Sequence, residues 1–423
     1  MMRKIAKLAP LFLVLLSNLL GFGILYFLNA ELDSTVLYSS LAVLLIVLFS
    51  YAVILFGSFG DEYLFLVVSM IFTIGIMFLL RISADVAQNQ ILYFYIGMAG
   101  FFVTYVFYKR QSFFHRPKMI MCYILFSMLL FMVTLLFGSS SGGAKNWLSL
   151  GPIGIQPSEI IKIFFILALS GLYTLPYKED ERRRGLLYQW MASPFKRQMM
   201  IMVIAYTFLG FLVLQREWGS AVLYFLIYFT MQYVFGNSKS VFIINIFGAG
   251  AGAFLGVKTM THIQERISIW LDPFQDPGSL GYQIVQSLYA MASGGFTGTG
   301  LGMGNPSFVP LVKNDFIFVA ICEEFGMIGA IGVVMLFFLL MYRGIKISLR
   351  ATNPFNKAVA LGLAAMFGYQ TFIIIGGVTK FIPMTGITLP FVSAGGSSLA
   401  ACFVALGILQ AISAKEGENS DVI

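Results

Sequence analysis

Histidine is almost missing from this chain: His115 and His262 are the only two in 423 residues. They lie far apart in sequence, which argues against a histidine-built metal site. The three cysteines, Cys122, Cys322 and Cys402, sit in apolar runs. They offer neither a disulfide framework nor metal-ligand spacing. Charge is scarce as well, at 11% of residues, against about 25% in a soluble domain. That shortage excludes an ordinary soluble enzyme. The net charge of +8 does not call for nucleic acid, because a basic excess in a membrane protein marks its cytoplasmic loops.

What is present is apolar: 59% hydrophobic residues, 43 Phe, 22 Met and a mean hydropathy of +0.86. So many apolar side chains must face lipid as well as each other. The fold class expected is an all-α polytopic membrane protein with about twelve transmembrane helices. Apolar runs near the ~20 residues that cross a bilayer fall at 8–28, 36–56, 63–81, 91–107, 119–137, 159–176, 199–215, 219–236, 241–257, 317–342, 358–378 and 388–413. Residues 199–236 read as a hairpin with a tight turn at Arg216 and Glu217. The first run is too long, and too poor in a small-residue cleavage site, for a plain signal peptide.

Basic residues set the expected orientation. With the N-terminus inside, 19 of the 27 Lys and Arg fall at cytoplasmic ends, the asymmetry of the positive-inside rule. Both termini are then cytoplasmic. The segments 138–158, 257–317 and 379–387 face outward, and KEDERRR at 178–184 is a solvated inner loop.

The outward stretches carry the chemistry. In GGAKNWLSLGPIGIQPSEIIK, Pro157 suits a first helical turn, and Glu159 complements the positive helix end. Lys162 lies three residues on, on the same face. The two can form a structural ion pair at the helix entrance; alternatively Lys162, with Lys145 nearby, meets an anionic ligand. Trp147 is either an interfacial aromatic or part of a site.

The long loop 257–317 holds WLDPFQDP, with tight turns expected at Pro273 and Pro277. After it comes YQIVQSLYAMASGG, a short amphipathic helix with Ile284, Leu288 and Met291 on one side and Gln283, Gln286 and Ser287 around it. The glycines of GGFTGTGLGMGN lack the strand and the Lys-Ser/Thr of a nucleotide loop, so close backbone packing or a lid is expected. Asp315 follows at the mouth of a span. Partial desolvation there would raise its pKa into the range a general base needs. Glu323 and Glu324, inside that span, must face the interior of the bundle. In the third stretch, TKFIPMTGITLPFVSAGGSSL, Lys380 is a further anion candidate. Ser393, Ser398 and the small residues between them permit close packing or a broken helix lining a cavity.

Four runs taken in order, AKNWLSLG…IQPSEIIK, RISIWLDPFQDP…GYQIVQSLYAMASGG…GTGLG, NDFIFVAICEEFG and Gln370 with GGVTKFIPMTGITLPFVSAGGSS, resemble the signatures of the shape, elongation, division and sporulation (SEDS) family, which includes RodA, FtsW and SpoVE. The resemblance covers about the C-terminal four-fifths of the chain. It implies a ten-helix core over 63–413, an additional N-terminal hairpin at 1–62 and a cytoplasmic tail at 414–423. It also implies a peptidoglycan glycosyltransferase of the bacterial cytoplasmic membrane, polymerising lipid II for division, elongation or sporulation. A class B penicillin-binding transpeptidase is the implied protein partner, alongside membrane lipid.

By the same resemblance Asp315 is the catalytic base, and Glu159 and Lys162 match an essential pair. Lys145, Lys162, Arg266 and Lys380 are candidates to neutralise the donor pyrophosphate, with or without a divalent cation such as Mg or Mn. Trp147, Gln283, Gln286, Ser287, Ser393 and Ser398 complete the expected substrate contacts. The chain departs from the pattern at VPLVKN, where Leu311 and Lys313 stand for a Glu and a His. It departs again at Asn146, where the family has Arg, and at Glu217, where it has Asp. A flippase of the same lipid-linked precursor is the competing function. It would need critical charges along a path through the bilayer, whereas these cluster at one face. A structural scaffold would make the outer polar residues dispensable.

Overall fold

The computed structural model describes residues 2–28, 33–110, 112–141, 143–151, 153–175, 193–275, 278 and 280–420. The inner loop expected at 178–184 and the turn expected at Pro277, with Asp276 before it, lie outside them. Fourteen α-helices follow in order among the described residues: α1 (Met2–Leu28), α2 (Asp33–Phe56), α3 (Glu62–Ile82), α4 (Ala84–Arg110), α5 (Pro117–Phe137), α6 (Pro157–Thr174), α7 (Pro194–Leu214), α8 (Trp218–Phe235), α9 (Lys239–Thr259), α10 (Thr261–Leu271), α11 (Leu280–Gly294), α12 (Ile317–Arg350), α13 (Pro354–Val378) and α14 (Gly396–Ser420). All but α10 and α11 are long and apolar enough to cross a membrane, which gives the twelve spans expected.

Boundaries differ where polarity misleads. The run at 388–413 is helical only from Gly396, because Phe391 holds a φ of 64° and breaks the chain direction. The helix then continues to Ser420, through the stretch read as a tail. The segment 257–317 is largely helical, not an open loop: α9 runs on to Thr259, and α10 and α11 follow. Asp272 accepts from the Phe274 amide and makes the expected turn at Pro273. A small antiparallel sheet precedes α6, formed by β1 (Ser139–Ser141), β2 (Ala144–Leu150) and β3 (Ile153–Ile155) in the order β1-β2-β3.

The chain divides into two compact units, residues 1–109, 266–344 and 370–423 in the first and 110–265 with 345–369 in the second. In the first, α3 is apolar all round and buried nearly all round, as such a helix must be. Phe72 stacks on Phe94 at 4.0 Å, and the Phe403 ring packs edge-on to Phe72. At the end of α3 that carries its N-cap, the cap residue Asp61 also pairs with Arg343 at 3.1 Å. Gln410 donates to the carbonyls of Phe59 and Asp61 and ties α14 to the same corner.

The second unit is built on α6, most of whose residues are buried. Phe165 packs against Phe208 and Tyr224, and Phe131 stacks on Phe211. Amides supply the buried polar ties: Gln215 donates to the Phe131 carbonyl, and Gln232 bridges Gln198 and Tyr173. The tight α7–α8 turn falls at Arg216, which takes a φ of 61°. Large apolar side chains such as Phe137, Phe247 and Tyr233 remain more than two-thirds exposed on the spans. In a chain of this composition their solvent is lipid.

Candidate functional site

Asp315 is the residue from which the site is built. It stands two residues before α12, where a polar turn meets an apolar span, so its carboxyl is largely surrounded by protein. Burial pushes its pKa up to about 6, against the opposing pull of the Arg266 charge. Arg266, on α10, has its own pKa lowered by burial and raised by Asp315. Its guanidinium donates to the Met384 carbonyl at 2.7 Å.

The chain after α13 holds this pair together. Gly386 has a φ of +72°, and a Cβ there would lie 3.7 Å from Asp315 Oδ2 and 3.9 Å from Arg266 Nη2. Thr385 beside it has a buried hydroxyl with no hydrogen-bond partner among the described residues. Ser393 accepts from the Leu389 amide and donates to the Asn314 carbonyl, while the Ala394 amide donates to the Lys313 carbonyl. Gln90, buried in α4, closes the clamp with both ends of its amide. It donates to the Ser393 carbonyl and accepts from the Gly395 amide. Leu311, Lys380 and Phe391 all adopt positive φ around these segments. Such strain, on the order of 1–3 kcal/mol each, persists only where the surroundings over-determine it.

The other expected residues of the first unit fall into two groups. Lys380 lies close by: its carbonyl accepts from Trp270 Nε1, and its ammonium makes a long 3.5 Å contact to the Leu271 carbonyl. Ser398 shares a hydrogen bond with Thr388, and Gln370 donates to the Thr388 carbonyl. Ser287 is fully buried and donates to the Ile284 and Val378 carbonyls, which gives it a packing role between α11 and α13. Gln283 and Gln286 are half-buried on α11, the amphipathic helix expected there.

Lys145, Trp147, Glu159 and Lys162 belong to the second unit. Glu159 and Lys162 are both buried and joined at 2.5 Å. Their geometry is that of an ion pair. Lys145 donates to the Leu135 and Leu136 carbonyls at the end of α5, and Trp147 lies over Gly154 in the small sheet. Nearby, Glu217 accepts from Gln156, and burial raises its pKa.

Glu323 and Glu324 face inward as expected, and the glycine run explains why. Residues 295–304 lie against the kink at Gly326 in α12, where φ is 65°. The Thr299 and Gly300 amides donate to the Glu323 and Glu324 carbonyls. Gly302 and Asn305 amides donate to the two carboxylates, and Arg81 pairs with Glu324 while donating to the Gly302 and Gly304 carbonyls. A Cβ at Gly298 would stand 2.1 Å from the Glu324 carbonyl oxygen. Close packing is therefore the reason for glycine at 294, 298 and 304, whereas Gly295 and Gly300 have room for a Cβ and hold positive φ instead.

No cluster of three or more His, Cys, Asp or Glu side chains that could hold a metal occurs among the described residues. At Asp315 the charged neighbour is a guanidinium, which competes for the carboxylate. That donor set does not fit a divalent ion. Gln90, Arg81, Thr385 and Gly386 are the site-forming residues that sequence reasoning did not single out. The signal available for the first two was a polar side chain in an apolar run.

The family model described as "Cell cycle protein", FtsW/RodA/SpoVE, matches residues 61–418. The chain belongs to this family of polytopic membrane proteins. It is 32% identical over 377 residues to the peptidoglycan glycosyltransferase RodA of Mycobacterium tuberculosis, covering 85% of this chain and 79% of that one. Stage V sporulation protein E of Bacillus subtilis is 32% identical over 370 residues, covering 84% of this chain and 96% of the relative. Among solved structures, a chain described under "Structural coordination of polymerization and crosslinking by a peptidoglycan synthase complex" matches with a TM-score of 0.68. It is 24% identical and covers 84% of this chain and 98% of its own, and the likeness is one of fold. Ten of the twelve candidate spans fall inside the matched range, and α1 and α2 precede it.

Proposed function

We propose that this chain is a peptidoglycan glycosyltransferase that polymerises lipid II, with Asp315 as its general base. The observation that carries the reading is the carboxyl of Asp315. It is desolvated to a pKa of about 6, positioned by a clamp on the preceding residue and set beside Arg266. A base with that pKa is mostly ionised at neutral pH yet still basic enough to take a proton, the compromise that general-base catalysis favours.

In the proposed reaction an acceptor sugar hydroxyl attacks the anomeric carbon of the lipid-linked donor. Asp315 takes the hydroxyl proton as the new C–O bond forms. The bond from the anomeric carbon to the pyrophosphate breaks, and the lipid pyrophosphate leaves with the electron pair. A single displacement inverts that carbon. Arg266 and Lys380 stand on the same unit as Asp315 and are the cations proposed to meet the pyrophosphate charge. Lys145 and Lys162 are proposed to act by holding their own unit in shape, since their ammonium groups are engaged by protein acceptors. Trp147, Gln283, Gln286 and Ser398 remain proposed substrate contacts.

The setting is proposed to be the bacterial cytoplasmic membrane, with both termini inside and Asp315 at the outer face. The count of basic residues supports that orientation. The first two helices are proposed as an addition to a ten-helix core. A class B penicillin-binding transpeptidase is proposed as partner, on the family resemblance.

The test is incorporation of purified lipid II into glycan by the purified chain, with and without the transpeptidase, beside a lipid II translocation assay in vesicles. Polymer supports the reading. Translocation without polymer would replace it with the flippase.

A further inference from the structure

Within the second unit, a cavity of about 250 Å³ lies where α6 ends, α7 begins and α8 ends. It is at the far end of α6 from Glu159 and Lys162. Arg197 and Gln198 form its fixed polar wall. The Arg197 guanidinium donates through Nε and Nη2 to the Leu172 carbonyl. That leaves the N–H groups of Nη1 without a partner among the described residues. No carboxylate lines the cavity, and Arg197 forms no ion pair among the described residues. A part-buried cation without a counter-charge calls for an anion.

Gln198, only 4% exposed, points to the same sign of ligand. Its Oε1 accepts from the Ser238 amide at 2.9 Å and from Gln232 Nε2 at 3.1 Å. A backbone amide can only donate, so this contact fixes which end of the Gln198 amide is the oxygen. The acceptor end is thereby occupied. The Nε2 end has no partner among the described residues and keeps accessible surface in the cavity that Gln198 lines. The start of α7 adds its positive end, because Ser193 makes no side-chain cap and the Phe195 amide has no partner among the described residues. The fixed groups of this wall are therefore donors.

A monatomic anion would leave most of such a cavity unfilled. A phosphate presents several acceptor oxygens to donors set apart from one another. The cavity is level with the ends of three spans, where the headgroups of a bilayer lie. The Tyr173 and Phe235 rings, 6.3 Å apart, flank it, and Phe195 and Tyr233 are exposed close by on the spans. These faces suit the glycerol and chains of a lipid, and basic pockets between spans are headgroup sites on the same ground. We propose that this cavity binds a phosphate group presented by an anionic membrane phospholipid. In the orientation proposed above that lipid belongs to the inner leaflet. The inference goes beyond the polymerase reading and does not depend on it.

Gln198→Glu is the sharp variant. One carboxylate oxygen keeps the bonds from Ser238 and Gln232, while the other replaces the open N–H donor and repels a phosphate. Asn237→Asp is the second variant, at an exposed residue at the cavity mouth whose change does not threaten the fold. The experiment is native mass spectrometry of the delipidated full chain, with folding of each variant checked by thermal unfolding. The chain is titrated with dioleoyl phosphatidylglycerol, with dioleoylglycerol, which lacks the phosphate, and with phosphatidylglycerol in the presence of inorganic phosphate. The wild type is expected to hold phosphatidylglycerol roughly fivefold or more tighter than dioleoylglycerol, and each variant to lose most of that preference, as the loss of a charge-assisted bond implies. Equal binding of the two lipids by the wild type, or equal phosphatidylglycerol binding by all three proteins, overturns the proposal. Inorganic phosphate displacing phosphatidylglycerol from the wild type at equimolar concentration assigns the cavity to free phosphate and overturns the lipid.

Discussion

The Ser393 hydroxyl donates to the Asn314 carbonyl across 2.5 Å, one peptide before the carboxylate proposed as base. Ser393, in the segment between α13 and α14, thus holds the backbone of the residue just before the proposed base. Removing the hydroxyl leaves Leu389's amide and Asn314's carbonyl short of a partner. Ser393→Ala is expected to cost about 1–2 kcal/mol of stability and to lower kcat by roughly tenfold, because misplacement of a reacting group is costly. Thermal unfolding in detergent and initial polymerisation rates check the two effects separately. A normal kcat in the folded variant would remove the clamp from the mechanism.

With Asp315 as the proposed base, its pKa sets the expected pH dependence. With a value of about 6, the ionised base is lost as pH falls through 6. The kcat/KM is expected to rise from pH 5 to 7 and then level. Arg266 pulls that pKa down, so Arg266→Gln is expected to move the inflection upward as well as to lower the maximum. An inflection unmoved by Arg266→Gln would show that another group is being read.

The same shift has a consequence for stability. A carboxyl whose pKa is raised on folding contributes stability below its unfolded value of 3.8, and that contribution is lost as pH rises through 6. Asp315→Asn is therefore expected to raise the unfolding temperature at pH 8 and to change it little at pH 4. The gain corresponds to about 2–3 kcal/mol from a shift of this size. Equal unfolding temperatures at both pH values would mean the carboxyl is not desolvated in the native state.

Much of this was legible in the sequence. Composition and run length gave the spans, and the spacing of Glu159 and Lys162 gave an ion pair. The position of Asp315 at a span mouth gave a raised pKa. Other features were hidden for physical reasons. Leu389, Phe391 and Val392 are as apolar as helix, so hydropathy ran the last span through a segment that positive φ at Phe391 breaks. The small sheet has no alternation of apolar and polar residues to announce it. Gln90 is an amide whose two partners lie more than 300 residues away, and no local pattern could assign it.

The Glu159–Lys162 pair separates structure from chemistry by a double substitution. Lys162→Met leaves Glu159 buried and unpaired, with an expected loss of roughly 3–5 kcal/mol. Adding Glu159→Gln removes the orphaned charge and is expected to restore much of that stability. Activity returning with stability identifies the pair as positioning. Stability returning without activity identifies a direct contact with substrate.

Glycine substitutions test the two tight backbones differently. At Gly298 a Cβ meets the Glu324 carbonyl oxygen at 2.1 Å, so Gly298→Ala is expected to abolish folding or lower the unfolding temperature sharply. At Gly386 the nearest atoms are at ordinary contact distance, and only the φ of +72° is unfavourable. Gly386→Ala is expected to cost about 1–2 kcal/mol and to fall on the Asp315–Arg266 pair, lowering rate more than stability. Quantifying folded protein by size exclusion distinguishes the two.

The most direct measurement is polymerisation of lipid II by folded Asp315→Asn beside the wild type, with lipid II binding measured on both. Binding retained and polymer reduced by at least the 10²-fold low end of general-base assistance is the expected result. Polymer formed at near wild-type rate by the folded variant would contradict Asp315 as the base.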